Sequence, residues 1–199
     1  MTTTLYLIRH GITEWNIKKR YCGFYDIALS RQGTSQAKRL RRRLNGETID
    51  TIYSSDRKRA LQTARILFGK RKIHVVNGLR EMHFGIFEGL THTQILKKHG
   101  ELYRKWLRHP FTTTIPKGEK LSEFRKRSVM AIQKIVSQNN SGTIAIVCHG
   151  GVISAFFTYL RKNRNFWKQI PSAASVSIVE YRRSKPIIKV QNDISHLNG

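Results

Sequence analysis

The segment TLYLIRHGITEWN, residues 4–16, is apolar through Leu5–Ile8 and then breaks into Arg9-His10-Gly11. The apolar half predicts a buried strand. A guanidinium and an imidazole at the end of such a strand are costly to desolvate unless an anion meets them. The pattern therefore predicts an anion site at the carboxyl end of the first strand, and the rest of the chain is read for its other walls.

Apolar, β-branched runs recur at 49–53, 73–76, 143–148, 175–181 and 187–190, with helical patterns between the earlier ones. Ser30 is an N-cap candidate for a helix through Leu44, with Ala37, Leu40 and Leu44 on one face and Gly46 beyond. Ser55 or Asp56 can cap the next helix, whose stripe is Ala60, Ala64 and Leu67 before Gly69. Residues 91–109 are helical in pattern, HPFTTTIPKG at 109–118 is a loop, 121–138 is a long amphipathic helix, and 152–160 is a last helix. This alternation predicts an α/β fold: three layers, α/β/α, around a mostly parallel central sheet. With no repeat, linker or composition shift, residues 1–199 read as a single domain.

Thirty-seven Lys and Arg oppose twelve Asp and Glu, a formal charge of +25. Such a field attracts polyanions, nucleic acid among them. The basic residues are, however, dispersed in KRLRRR (38–43), RKR (57–59), GKRK (69–72), FRKR (124–127) and RKNR (161–164). Interleaved with helical apolar positions, they read better as solvated helix faces, so nucleic-acid binding is possible but not favoured. No apolar run approaches the roughly 20 residues that span a bilayer, and the first residues lack the features of a secretory signal, so the expectation is a cytoplasmic protein without membrane contact. Cys22 and Cys148 are the two cysteines. Neither they nor the histidines have structural-zinc spacing, and Cys148 reads as a small buried hydrophobe. No large exposed apolar repeat is visible, which suits a monomer or weak dimer.

Three strands hand over to polar groups at their carboxyl ends: Arg9-His10-Gly11, Ser54-Ser55 with Arg59 in the next helix's first turn, and His149-Gly150-Gly151. Ligands of open α/β sheets bind at that edge, near the point where strand order reverses. Glycines after both histidines allow close backbone approach, and helix N-termini add positive potential. A phosphate fits such a site best.

LYLIRHGITEWN, SSDRKRALQTA, LREMHFGIFEGLT and IVCHGG, in this order, resemble the successive signatures of the histidine phosphatase superfamily, also called phosphoglycerate-mutase-like. The resemblance runs from Leu5 to the closing NDISHL at 192–197. It implies that fold, and His10 as a nucleophile that becomes phosphorylated. Arg9, Arg59 and His149 would grasp the phosphate oxygens, Asn16 would add a contact, and Gly11 and Gly150 would contribute backbone. Glu81 falls at the proton-donor position, with Glu88 as a nearby substitute. Arg59 is preferred to Arg57 because it opens the family's Arg-Ala-x-x-Thr pattern, here RALQT.

That chemistry requires these residue types. A dianionic ester must be neutralised by fixed donors before a nucleophile can approach, and the guanidinium fork suits the task. Two guanidinium groups beside His10 favour its neutral form and preserve a lone pair for in-line attack. A carboxylic acid protonates the leaving oxygen and then, as carboxylate, activates water. A pocket holding two arginines and two histidines repels a divalent cation, so neither metal nor other cofactor is implied.

Taken alone, Arg9 could be an ion-pair residue, His10 a hydrogen-bonded core histidine, and Glu81 a partner of Arg80. Cys22, Gly23 and His83 read as substrate-facing, His92 as rim or surface, and His74 as the exposed face of a strand. Trp106 with Arg104, Lys105 and Arg108 could form a basic substrate-facing lid or, more plainly, an aromatic helix packed on the core. The compact layout is most similar to the small bacterial broad-specificity phosphatases and α-ribazole phosphatases. It implies a metal-independent phosphomonoesterase acting on small phosphorylated metabolites, with phosphoglycerate mutase or polyanion binding as the alternatives. Cys22 in place of a common glutamine, Ala28 for a proline and Lys120 for a serine bear on which ester is accepted.

Overall fold

A computed structural model describes residues 2–139, 141–163, 165–183 and 185–198. Arg164, in the RKNR cluster, lies outside the described residues. The strands are β1 (Thr2–Arg9), β2 (Thr51–Ser54), β3 (His74–Val75), β4 (Gly142–Cys148), β5 (Val176–Arg182) and β6 (Lys185–Asp193). The helices are α1 (Glu14–Ile17), α2 (Arg31–Arg43), α3 (Lys58–Phe68), α4 (His92–Arg108), α5 (Leu121–Ser137) and α6 (Gly150–Leu160).

Residue alternation along the central strands creates the layers. Leu5 and Leu7 of β1, with Ile144, Ile146 and Cys148 of β4, join one buried cluster with Phe124, Ile132, Val152 and Phe156 from α5 and α6. Tyr6 and Ile8, with Ala145 and Val147, join a second cluster with Leu40, Ala60, Ala64 and Leu67 from α2 and α3. Strands apolar on both faces are what a sheet covered by helices on both sides requires. The sheet order is β3-β2-β4-β1-β5-β6; the first four strands are parallel, and β5 alone runs against them, pairing antiparallel with both β1 and β6. This is the three-layer α/β/α architecture with a mostly parallel sheet.

Several boundaries differ from expectation for local reasons. Ser30 does cap α2, its hydroxyl accepting from the Gly33 N–H at 3.0 Å. Neither Ser55 nor Asp56 caps α3: the carboxylate on its Lys58 N–H is that of Asp26, at 2.7 Å. Asp56 is instead bonded to Arg80. The last helix starts at Gly150, with His149 at its N-cap position, two residues before the expected start. The long pattern at 91–109 is two helical segments that meet at a kink at His99 (φ −141°), taken together as α4.

Trp106 decides between the two readings of its segment in favour of the plainer one, a helix packed on the core. It is 1% exposed and packs edge-on to Tyr21, Phe84 and Phe87, while Arg104, Lys105 and Arg108 face outward. An indole this deep is core, so a basic lid built around it is ruled out. His74 and His92 are exposed, and Cys148 is buried, where desolvation raises its thiol pKa. Among the described residues no helix is long and apolar enough to cross a membrane.

Candidate active site

Strand register brings the three polar handovers together. Arg9 of β1 lies opposite Cys148 of β4, and Ser54 of β2 opposite Val147. Pairing then runs one residue past each strand end: the His10 N–H donates to the Cys148 carbonyl and the Ser55 N–H to the Val147 carbonyl, both at 3.0 Å. His10, His149 and Ser55 therefore emerge side by side at one sheet edge. From here β1 leads to α2 on one face and β4 to α6 on the other, the switch point where doubly wound sheets bind ligands.

His10 is buried, its ring centroid 5.1 Å from that of His149. Its Nδ1 lies 2.7 Å from the Gly11 carbonyl oxygen. A carbonyl only accepts, so Nδ1 carries the proton and the neutral ring keeps its lone pair on Nε2. The Gly11 N–H is taken by Thr63 Oγ1 at 3.1 Å. Both polar groups of Gly11 are thus committed within the protein, so it orients His10 where the sequence suggested a backbone contact to phosphate. His149 is fixed as well: the Arg59 Nε–H donates to its Nδ1 at 3.3 Å, which leaves the Nε2–H to donate to Ser55 Oγ at 2.9 Å.

The two arginines differ in how they are held. Arg59 is fully buried and donates to the Gly23 carbonyl at 2.7 Å and the Tyr25 carbonyl at 2.9 Å. With the bond to His149, three of the five guanidinium N–H groups are engaged and two remain for a ligand. Arg9 donates from Nη1 to the Pro171 carbonyl at 2.5 Å. Its Nε is buried with no hydrogen-bond partner. Buried donors are normally satisfied, so this orphan marks a place where an acceptor belongs. Gly150 lies against the guanidinium: a Cβ there would stand 3.3 Å from Arg9 Cζ and 2.9 Å from Ile170 Cγ2.

Glu81 approaches the same point from the segment after β3. Its Oε2 accepts from the Gly151 N–H in the first turn of α6, and its Oε1 from the Met82 N–H, both at 2.9 Å. Glu88, the substitute, has another task. It is buried, and its two oxygens accept from the N–H groups of Phe24, Tyr25 and Phe84 at 2.8, 2.9 and 3.1 Å, which folds the loop that Arg59 grips. Glu88→Gln turns one acceptor into a donor facing those N–H groups. A loss of about 1–3 kcal/mol in urea unfolding is expected.

Cys22 lies within the electrostatic reach of Arg59, Glu88, Glu81 and Arg9, and burial raises its thiol pKa above the ordinary value. Gly23 has no room for a side chain, since a Cβ would collide with the Met82 carbonyl. His83 is a half-exposed rim residue stacked on Phe24 with centroids 4.5 Å apart, and Arg57 lies over that same ring at 5.0 Å. Asn16 closes α1's capping box, its Oδ1 accepting from the Thr13 N–H at 3.1 Å. Thr63 closes the RALQT pattern, but its bond to the Gly11 N–H, like the parts played by Pro171 and Asp26, was not legible in the sequence, because a carbonyl or a distant side chain used as a clasp leaves no local signal. Among the described residues no three His, Cys, Asp or Glu side chains form a group that could hold a metal ion.

Both histidines are kept neutral. Desolvation is the largest cause of the depressed pKa of His10, followed by Arg59 and Arg9; for His149 the order is desolvation, Arg59, His10 and Arg9. In the unfolded chain both protonate near the ordinary value of 6.5. The unfolded state therefore binds more protons below that pH, and the stability contribution is full above it and lost as pH falls toward the depressed folded values. The loss should approach about 1.4 kcal/mol per histidine per pH unit. Urea midpoints taken from neutral to acidic pH should fall more steeply for wild type than for His10→Ala, and equal slopes would contradict the assignment.

An α/β fold that gathers a buried and a half-buried arginine, two neutral histidines and a carboxylate at its switch point defines a phosphate-handling enzyme. The chain belongs to the histidine phosphatase superfamily, branch 1, whose family model matches residues 5–194. It is 32% identical to the metal-independent phosphoserine phosphatase of Arabidopsis thaliana, over 99% of this chain and 84% of that protein. It is 31% identical to the adenosylcobalamin/alpha-ribazole phosphatase of Escherichia coli, over 78% of each. Among solved structures, a mutant phosphoserine phosphatase of Entamoeba histolytica in complex with phosphoserine superposes with a TM-score of 0.88 at 29% identity, covering 98% of this chain and 99% of that one. Family and relatives make the protein a phosphomonoesterase.

Proposed function

We propose that the protein hydrolyses small phosphorylated metabolites without metal, through a phosphohistidine formed on His10. The observation that carries this reading is the His10 ring: Nδ1–H is tied to the Gly11 carbonyl, leaving the Nε2 lone pair beside Arg9 and Arg59. The ester's phosphoryl group binds between Arg9, with its orphan Nε donor, and the two N–H groups left on Arg59. Both ring nitrogens of His149 are committed, Nδ1 to the Arg59 Nε–H and Nε2–H to Ser55 Oγ, so His149 holds the Arg59 fork in place beside the phosphate, and Asn16 supplies a further contact. Nε2 of His10 attacks phosphorus as the bond to the leaving oxygen breaks, and Glu81 gives that oxygen a proton. Glu81, now a carboxylate, takes a proton from water, whose oxygen attacks the phosphohistidine and releases inorganic phosphate. Guanidinium groups provide the charge neutralisation that a cation would otherwise supply.

Phosphoserine and alpha-ribazole phosphate are the esters that the relatives' names point to. Phosphorus NMR with EDTA present, over these esters and 3-phosphoglycerate with its bisphosphate primer, tests the reading. Inorganic phosphate should accumulate. A phosphoryl group that merely changes carbon, or activity that EDTA abolishes, would overturn it.

A further inference from the structure

We propose that Arg127 is the positioning residue for Glu81, holding the carboxyl group at the leaving oxygen by clamping the backbone that carries it. The inference rests on the proton-donor role proposed for Glu81. Arg127 projects from the second turn of α5 and commits every guanidinium N–H. Nη1 donates to the Gly78 carbonyl at 3.0 Å and the Arg80 carbonyl at 2.7 Å, and Nη2 to the Glu81 carbonyl at 3.0 Å. Nε and Nη2 form a two-pronged pair with Glu119 at 2.6 and 2.8 Å.

Glu119 is itself anchored, since its backbone N–H donates to the His83 carbonyl at 2.9 Å. The segment beyond the short 3-10 turn at Asn77–Leu79 has no strand or helix to define its path. The clamp supplies that definition on one side. On the other, Gly78 lies directly on α5, where a Cβ would stand 2.8 Å from that of Ala131.

Position matters here more than for an ordinary loop. The Glu81 carboxylate sits between the N–H groups of Gly151 and Met82, so close to Gly151 that any Cβ there would collide with it. The peptide between Glu81 and Met82 is held by Arg127 at its carbonyl and by the Glu81 side chain at its N–H. A small rotation of that peptide swings the carboxyl group away from the leaving oxygen, and misplacement by about 1 Å can cost on the order of 100-fold in rate.

The test separates positioning from mere support by varying the leaving group. Phosphoserine leaves as an alkoxide that needs a proton, whereas 2,4-dinitrophenyl phosphate leaves as a stable phenolate that does not. kcat/KM reports the first phosphoryl transfer for each ester. Arg127→Met should lower kcat/KM for phosphoserine roughly 10- to 100-fold, and for the dinitrophenyl ester by a factor at least ten times smaller. Glu81→Gln should show the same selectivity more strongly. Glu119→Gln, which loosens the clamp without removing the guanidinium, should shift the ratio in the same direction and serves if Arg127→Met does not fold.

Equal losses on both esters in the Arg127 and Glu119 variants would overturn the positioning role alone. Equal losses in Glu81→Gln would overturn the proton-donor role and the positioning role with it. A wild-type protein that hydrolyses neither ester would overturn the proposed function as a whole.

Discussion

His10→Ala is expected to lower phosphomonoester turnover on the order of 10⁴-fold or more, while the protein still folds and still binds the ester. The size follows from losing the nucleophile itself, since the remaining donors can bind and polarise the phosphoryl group but have nothing to transfer it to. Binding survives because the phosphate clasp does not run through His10. Arg9 is anchored on the Pro171 carbonyl and Arg59 on the Gly23 and Tyr25 carbonyls. Calorimetric titration of the variant with a hydrolysable ester should therefore give a saturable isotherm without phosphate release. Residual turnover within tenfold of wild type would contradict the mechanism.

Arg59→Met should cost about 10²–10³-fold in kcat/KM through loss of donors fixed on the developing charge. It should also lower stability by about 1–3 kcal/mol, because the Gly23 and Tyr25 carbonyls lose their partner. Arg59→Lys should recover little of the rate. One ammonium cannot reach His149 Nδ1, two diverging carbonyls and a phosphate oxygen together, whereas the guanidinium fork is built to diverge. Kinetics and urea unfolding on the two variants check both parts. Near-wild-type kcat/KM in Arg59→Lys would show that only charge matters at this position.

Features governed by near neighbours in the chain were legible. The Ser30 cap reaches only to Gly33, and the alternation Leu5-Tyr6-Leu7-Ile8 already divides the residues between the two faces of the sheet. The convergence of Arg9, His10, Arg59 and His149 followed because each stands at a strand end or in the next helix's first turn, and a parallel sheet aligns those ends. What stayed hidden depends on partners distant in sequence. Asp26 caps α3 across 32 residues, and Arg127 reaches back 46 residues to the Glu81 carbonyl. For Trp106 the sequence offered both lid and core with core the plainer, and the packing of Tyr21, Phe84 and Phe87 around it decides for core. Between Glu81, at the position the resemblance implies, and Glu88, its substitute seven positions on, the bonding decides. One carboxylate meets the first turn of α6, the other threads a loop.

The phosphoryl group is expected to sit covalently on His10 between the two half-reactions, and it can be trapped there. Wild type mixed with ester under single-turnover conditions should be quenched in alkali, where phosphohistidine survives, and its peptides read by mass spectrometry. One phosphoryl group is expected on the peptide containing His10, stable in alkali, lost on acidification and missing from His10→Ala. Active enzyme that never carries phosphate on His10 while releasing it to solution, or that carries it on another residue, would contradict the account.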